Sequence, residues 1–461
     1  MFKFLKFFLV FIILYHILIT FVVFQLLHGS YHEIISISKD ILWILFVLFW
    51  MIGYWRKTLE FIKKFYIYIL LVIWFIGWWV LISYINNTSI FEIFVWLKYT
   101  IYFIIIFILS SYLWFIAYKK NLTKHLLKYY NFLFYLILFA ISFWLVRWLA
   151  KLGFKDAFLN IGYWPLWDYE YWESPPVYYL TWPDGIPRNS GIFAGPNNFG
   201  FFLVVFFSFF FFKLGEYLKE GKEWTIKSIL WGIIYIWSGI LTLSRGFFVG
   251  LIPQIYYFLL RATIKSKTAI WTTIGAIFIG VAIITIYKPW STIEHFSAQK
   301  EGFTWIMENT QWKGLWTSWP WVHYWWEILP ENTYFQIIID TGIIGFFFWI
   351  AIIIMIFYFV KNLILTRNNF AISKDEQTLY GYFIWLSIWL FGLILEGFFL
   401  HVFEDSMVNY TFFISYWILF GYFFSLYYDW WRYLEEDTEE EDYEGTENQD
   451  LWEIERNTTT S

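Results

Sequence analysis

Apolar residues in this chain fall in runs of about 20, and short polar or charged segments separate the runs. An α-helix rises 1.5 Å per residue, so a run of this length crosses the roughly 30 Å of hydrocarbon in a bilayer. Of the 461 residues, 60% are hydrophobic and 15% are charged, whereas soluble domains are about 45–50% apolar and about 25% charged. We therefore predict an all-α membrane protein rather than a large soluble helical protein.

The runs predict about 12 transmembrane helices and two large loops on the outer face. Lysine and arginine concentrate in four short segments between the runs, and short cytoplasmic loops carry an excess of these residues. Twelve crossings with both termini cytoplasmic place all four segments on the cytoplasmic side, so we expect a multi-pass protein of the bacterial inner (plasma) membrane. The predicted helices cover 4–27, 38–55, 65–86, 94–118, 128–150, 191–213, 224–243, 246–262, 267–287, 332–360, 378–401 and 406–428, and the basic segments are 55–64, 119–128, 261–267 and 361–374.

The chain divides into five predicted regions. The last of them is acidic and poor in aliphatic residues, which predicts disorder, and the long loops are expected to carry function. The chain has no cysteine, which excludes disulfides and thiolate metal sites. The regions are an N-terminal five-helix membrane region (1–150), a first large outer loop (151–190), a core region (191–360) that includes a second outer loop (288–331), C-terminal helices (361–428) and a cytoplasmic tail (429–461).

Tryptophan is unusually frequent, with 33 residues against 26 glycines. It stands where turns ordinarily have glycine, as in the segments 182–185 (Trp-Pro-Asp-Gly) and 319–321 (Trp-Pro-Trp). An aromatic belt at the membrane interface explains tryptophan at helix ends but not in these loops. We therefore hypothesise that UGA codons, read as glycine in the source of this protein, are written here as tryptophan. Peptide mass spectrometry of the native protein tests this hypothesis, because tryptophan detected at positions 319 and 321 excludes it.

Three sequence segments stand out, and the predicted topology places all of them at the outer face. The first is 188–200 (RNSGIFAGPNNFG), the second is 241–246 (LTLSRG), and the third is 330–345, with PENTYF followed by DTGIIG. In this order and spacing, with a long loop before the third, the segments resemble the O-antigen ligase and polymerase superfamily. The resemblance covers roughly residues 185–360.

Members of that superfamily transfer a glycan from a polyprenyl pyrophosphate lipid to an acceptor hydroxyl outside the inner membrane. Their outer-face arginines hold the pyrophosphate, so the resemblance gives Arg188 and Arg245 this role. Many of the ligases have a histidine just before the asparagine of the third motif, where this chain has Glu331. The resemblance therefore makes Glu331 the candidate proton acceptor for the acceptor hydroxyl.

The chemistry of the reaction fits these residue types. Charge develops on the pyrophosphate leaving group as the glycosidic bond breaks, and fixed guanidinium groups stabilise that charge. A carboxylate such as Glu331 serves as general base when burial raises its pKa toward neutrality. We expect no metal and no cofactor, because the donor is already activated.

Other residues of the motifs and outer segments are candidates for contacts with the substrate. Lys300 is a candidate third phosphate contact, and Arg147 a candidate contact with anionic lipid. Simpler roles stay open: arginines snorkel at helix ends, Glu331 suits a helix N-terminus, and Asp340 and Glu396, ionisable groups within apolar runs, suit either function or packing. The candidate substrate-binding residues are Asn197, Ser244, Lys300, Asn332 and Arg147.

The leading interpretation is a membrane glycosyltransferase, either an O-antigen ligase or a polysaccharide polymerase. Its expected partners are the polyprenyl pyrophosphate-linked glycan donor, a glycan or lipid acceptor, and membrane lipid, with no nucleic acid. A transporter or flippase for lipid-linked glycans is the main alternative, and an assembly subunit without activity is the weaker one. The clustering of the distinctive cations at one predicted face favours chemistry at a surface over alternating access.

Overall fold

A computed structural model describes part of this chain. Within the described residues the chain is helical apart from two three-residue strands. The described residues are 2–20, 32–85, 87, 102–119, 122–149, 179–181, 186–188, 197, 199–205, 207, 210, 212, 226–261, 265–287, 289–308, 332–366, 373–397 and 413–427. The elements are α1 (Phe2–Thr20), α2 (His32–Gly53), α3 (Trp55–Ile85), α4 (Tyr102–Lys119), α5 (Thr123–Leu149), β1 (Tyr179–Thr181), β2 (Ile186–Arg188), α6 (Ile226–Thr242), α7 (Arg245–Arg261), α8 (Ser266–Tyr287), α9 (Pro289–Glu308), α10 (Thr333–Leu365), α11 (Lys374–Glu396) and α12 (Ile414–Tyr427).

Helices suited to a membrane are present in the structure. Helices α3, α10 and α11, with 31, 33 and 23 residues, are long and apolar enough to cross a bilayer. Shorter apolar helical stretches lie in α2, α4, α6, α7 and α12. The prediction of a helical membrane protein is confirmed to this extent. The number of 12 crossings stays a prediction, because predicted ranges such as 191–213 lie partly outside the described residues.

Helix α3 begins ten residues earlier than predicted, so the basic segment 55–64 is helix and not loop. No proline or glycine stands in this segment to end a helix. Glu60 and Lys64 form an ion pair one turn apart, at 3.4 Å, and the Lys64 ammonium lies 4.9 Å from the centre of the Phe115 ring. At 1.5 Å per residue α3 is about 46 Å long, so its basic start extends beyond the hydrocarbon.

The two predicted outer loops contain regular structure. Strands β1 and β2 pair antiparallel, with Tyr179 opposite Arg188, and the predicted turn at 182–185 between them lies outside the described residues. Helix α9 occupies 289–308 of the predicted second loop and starts with Pro289, a residue favoured at the first position of a helix. The all-α prediction therefore holds except for this hairpin, and the second loop is partly helical.

The core is built around α12, whose residues from Ile414 to Phe424 are all buried. Aromatic rings from α3 and α4 pack on it, as in the contact of Phe107 with Trp417 at 4.4 Å between ring centres. Two helix crossings depend on glycine. A methyl carbon built on Gly392 of α11 would lie 2.5 Å from the carbonyl oxygen of Gly250 in α7, and one on Gly421 of α12 would lie 2.5 Å from that of Ser111 in α4. Small residues of this kind let membrane helices approach backbone to backbone.

Candidate functional site

The first and second motif segments are in direct contact. A methyl carbon built on Gly200 would lie 3.2 Å from Cβ of Ser244 and 3.4 Å from its Oγ. Asn197 is helical and half-buried, about one turn before Gly200 in the same segment. The start of the 197–212 segment therefore lies against the turn that precedes α7.

Hydrogen bonds close the turn of the second motif. The backbone N–H of Leu243 donates to the carbonyl of Ile240 at 3.0 Å, and the N–H of Ser244 donates to Oγ1 of Thr242 at 3.2 Å. Leu243 adopts a positive φ of 48°, which reverses the chain so that α7 begins at Arg245. The Oγ of Ser244 is buried and makes no hydrogen bond.

Arg245 is half-buried at the N-terminus of α7. The free N–H groups and the dipole of a helix N-terminus favour anions. The guanidinium adds a formal positive charge to the same place. The two effects together make this helix end a suitable place for a phosphate group.

Asn332 caps α10, which begins within the third motif. Its Oδ1 accepts hydrogen bonds from the N–H groups of Tyr334 at 2.8 Å and Phe335 at 3.2 Å, and its Nδ2 donates to Oε1 of Gln299 in α9 at 3.2 Å. Asparagine is among the preferred residues at this position. The side chain is buried, so in this structure Asn332 orders the segment, and its predicted contact with substrate is not tested.

The start of α10 meets the end of α11. The N–H of Thr333 donates to the carbonyl of Gly397 at 3.0 Å, and the hydroxyl of Tyr334 donates to the carbonyl of Ile394 at 2.6 Å. Between these two acceptors stands Glu396, which is completely buried. The third motif is thereby joined to a buried carboxyl group.

Glu396 in turn faces α7. Its Oε2 would lie 3.1 Å from a methyl carbon built on Gly250, which also contacts Val204. Gly250 comes five residues after Arg245, or about 7.5 Å along the helix. Neither carboxyl oxygen of Glu396 has a hydrogen-bond partner among the described residues, and a buried ionised group without one is costly in a membrane.

Further polar groups surround this carboxyl group. Nε2 of Gln254 donates to the carbonyl of Val204 at 2.9 Å, whereas its Oε1 has no hydrogen-bond partner. The Tyr235 hydroxyl donates to the carbonyl of Leu203. Helices α6, α7, α11 and the 197–212 segment thus meet around a polar cluster inside an otherwise apolar bundle. We call Gln254 and Glu396 the inner polar cluster.

The second half of the third motif interrupts α10. Gly342 has φ 70° and ψ 177°, a combination that is open almost only to glycine. The carbonyl of Thr341 accepts a hydrogen bond from the Trp78 indole at 3.0 Å, so α3 supplies a donor at the interruption. Asp340 is buried just before it.

The structure brings together four of the predicted site residues and leaves others undetermined. Lys300 is exposed on α9, next to Gln299. The backbone of Arg188 ends β2 and that of Arg147 lies in α5, but neither side chain is described, and Glu331 lies outside the described residues. No group of three or more potential metal ligands occurs within the part of the chain that was placed. The four residues whose segments lie toward the same end of the bundle are Asn197, Ser244, Arg245 and Asn332.

Sequence reasoning missed three polar residues of this region. Gln299 binds Asn332 across a long segment that the sequence does not relate to it. Gln254 and Tyr235 lie in predicted helices, and a glutamine within an apolar run is itself a signal. The sequence therefore contained an indication that Gln254 is special, but none for Gln299.

Comparisons with known proteins found no relative. No protein-family model matches the sequence, no curated protein matches it, and no solved structure matches the fold.

Proposed function

We propose that this protein is a membrane glycosyltransferase that moves a glycan from a polyprenyl pyrophosphate lipid to an acceptor hydroxyl at the outer face of the bacterial inner membrane. The proposal includes both termini in the cytoplasm. An O-antigen ligase and a polysaccharide polymerase of the same superfamily share these motifs, and the identity of the acceptor distinguishes them.

One observation carries the proposal: segments far apart in sequence meet at one end of the helix bundle. Gly200 contacts Ser244, and Glu396 lies against Gly250 in the helix that Arg245 begins. The hydrogen bonds of Thr333 and Tyr334 join the third motif to the same place. A transferase needs an anion site, a proton acceptor and an acceptor site within a few ångströms of one another, and this end of the bundle contains candidates for the first two.

Arg245 binds the pyrophosphate in this proposal. A guanidinium presents two parallel N–H groups to phosphate oxygens, and such charge-assisted bonds strengthen as charge develops on the leaving group. The N-terminus of α7 adds its backbone N–H groups. Arg188 and Lys300 are the other cations that the proposal assigns to the diphosphate.

A carboxylate accepts the proton of the attacking hydroxyl in this proposal. The bond from the anomeric carbon to the pyrophosphate oxygen breaks as the acceptor oxygen bonds to that carbon, and the hydroxyl proton passes to the carboxylate. Glu331, from the resemblance, and Glu396, from its burial beside Gly250, are the two candidates. The pyrophosphate leaves as an anion and needs no proton of its own.

Substitution of Arg245 by lysine tests the proposal. Lysine keeps the charge but cannot form a bidentate fork, so we expect glycan transfer to fall about 100-fold or more. Transfer from a lipid-linked donor in membranes is the measurement, with the amount of inserted protein determined in parallel.

The matched control is Arg261→Lys, at the opposite end of the same helix. It should leave transfer at the level of the unmodified protein. Transfer that survives Arg245→Lys unchanged would remove the central residue of the proposal.

A specific feature favours a second candidate function, a transporter of lipid-linked glycans. Transporters bind substrate at interrupted membrane helices, and α10 is interrupted at Gly342, about 14 Å from its start. Movement of a fluorescent lipid-linked glycan between the leaflets of proteoliposomes, without any glycan transfer, would favour this function over the enzyme.

A further inference from the structure

We propose that a groove at the other end of the helix bundle binds an anionic phospholipid, with an acyl chain between the helices and the phosphate beside Lys361. The groove lies among α7, α8, α10 and α11 and has a volume of about 720 Å³, within the range of about 300–1,000 Å³ typical of ligand pockets. It is separate from the inner polar cluster, and the proposal does not depend on the enzymatic function.

The walls of the groove are almost entirely hydrocarbon. Ile252 of α7, Ile274 of α8, Phe357 of α10 and Ile388 of α11 line it. Ile274 is 48% exposed, so the groove is open to the lipid that surrounds the bundle. Its lining includes no tryptophan.

The groove reaches from the helix ends to the middle of the bundle. Lys361 lies four residues before the end of α10, and α7 ends and α8 and α11 begin at this same end. Along α11 the distance from Lys374 to Ile388 is about 21 Å. One leaflet with its polar edge is about as deep, so an acyl chain that enters at this end fills the groove without crossing the bilayer.

Positive charge marks the mouth of the groove. Lys361 lines the groove itself, and Lys265 and Lys267 are exposed at the start of α8. Glu376 lies near this end, but its carboxylate accepts hydrogen bonds from Ser373 and Tyr422 and so faces α12. A lysine near the membrane surface attracts anionic lipid.

The position of Lys361 distinguishes a phospholipid from the tail of a polyprenyl donor. A donor bound at Arg245 has its phosphates at the opposite end of α7, and only uncharged isoprene units would reach the groove. Such a tail has no anion to place beside Lys361. The charge at the mouth therefore favours a phospholipid of the leaflet at this end.

The test is native mass spectrometry of the full-length protein in mild detergent, with phosphatidylglycerol or phosphatidylethanolamine of identical acyl chains. We expect the protein to retain phosphatidylglycerol in preference. Lys361→Gln should reduce that preference about fivefold, the loss of one lysine's attraction, and still bind both lipids. Ile388→Trp should fill the groove and lower the retention of both.

The matched control is Lys3→Gln, which removes an exposed lysine at the start of α1 that does not line the groove and should change nothing. Thermal denaturation in the same detergent checks that each variant is folded. The proposal is overturned by equal retention of the two lipids, by an unchanged preference in Lys361→Gln, by unchanged retention in Ile388→Trp, or by displacement of phosphatidylglycerol by equimolar undecaprenyl phosphate.

Discussion

Two helix crossings in this protein each place a glycine against a backbone carbonyl of the neighbouring helix, but the buried polar groups around them differ. At the α7–α11 crossing Gly392 lies against the backbone of Gly250, and at the α4–α12 crossing Gly421 lies against that of Ser111. In each case a side chain in place of the glycine would collide with a carbonyl oxygen. The two crossings differ in what happens to the buried polar groups beside them.

Most buried hydroxyl groups around the α4–α12 crossing are hydrogen-bonded, although among the described residues Ser110 Oγ and the Trp417 indole N–H are not. Thr123 and Tyr422 share a bond of 2.8 Å, and Tyr129 and Ser415 share one of 3.1 Å. The Ser111 hydroxyl donates to the carbonyl of Trp417 at 3.4 Å. Satisfied bonds of this kind fix a single arrangement of the core.

Polar atoms beside the α7–α11 crossing lack such partners. Among the described residues, both carboxyl oxygens of Glu396 and Oε1 of Gln254 are buried without a hydrogen bond, and so is Oγ of Ser244 in the turn before α7. Each costs about 1–3 kcal/mol if left so. Groups that a fold leaves unsatisfied at this cost are candidates for contacts with a substrate. The carboxyl group of Glu396 distinguishes the α7–α11 crossing, because the unsatisfied groups at the α4–α12 crossing are a serine hydroxyl and an indole, which do not take up a proton at neutral pH.

Of the substitutions that compare the two regions, Glu396→Gln is expected to have the largest effect, on the rate of glycan transfer. Glutamine has nearly the same shape but cannot accept a proton at neutral pH, so transfer should fall 100-fold or more if Glu396 is the general base. Initial rates with the lipid-linked donor measure the effect, and circular dichroism shows whether the helices are kept.

Glu376→Gln is the control for that substitution, because Glu376 lies at the opposite end of the same helix. It should retain normal transfer. If Glu396→Gln retains normal transfer while Arg245→Lys loses it, the proton acceptor lies elsewhere, and Glu331 becomes the remaining candidate.

The sequence predicted α10 well because the signal of an apolar helix is local, whereas α9 was predicted as loop. Runs of apolar residues predicted α10 at 332–360, and the structure has it at Thr333–Leu365. The turn before Arg245 was likewise predicted at its place in the chain. Boundaries were less accurate at α3, where a run of charged residues continues the helix beyond the hydrocarbon and hydropathy alone gives no signal.

The close contacts of the site could not be predicted in the same way. That Gly200 contacts Ser244, or that Gly250 makes room for Glu396, depends on how helices pack, and one sequence does not contain that information. Glu396 was recognised as an ionisable group in an apolar run, but not as a neighbour of the second motif. The contact of Asn332 with Gln299 could not be predicted either, because Gln299 comes from another helix.

Two buried tryptophans bear on the hypothesis that some tryptophan positions are glycine in the native protein. The indole N–H groups of Trp43 and Trp417 are buried without a hydrogen-bond acceptor, although buried tryptophan usually finds one. Trp78, in contrast, donates to the carbonyl of Thr341. The two unsatisfied indoles agree with the hypothesis that some of these positions are glycine in the native protein.

Of the substitutions that compare the two regions, Tyr129→Phe in the aromatic core is expected to have the smallest effect, on the stability of the protein. The substitution removes the hydroxyl bonded to Ser415 and keeps the ring in place, so stability should fall by about 1 kcal/mol. A double-mutant cycle with Ser415→Ala, measured by unfolding in detergent, isolates the pairwise energy. Transfer per folded molecule should not change, because this bond lies in the ordered core. A loss of transfer as large as that expected for Glu396→Gln would contradict the division between a core that supports the fold and a crossing that supports the site.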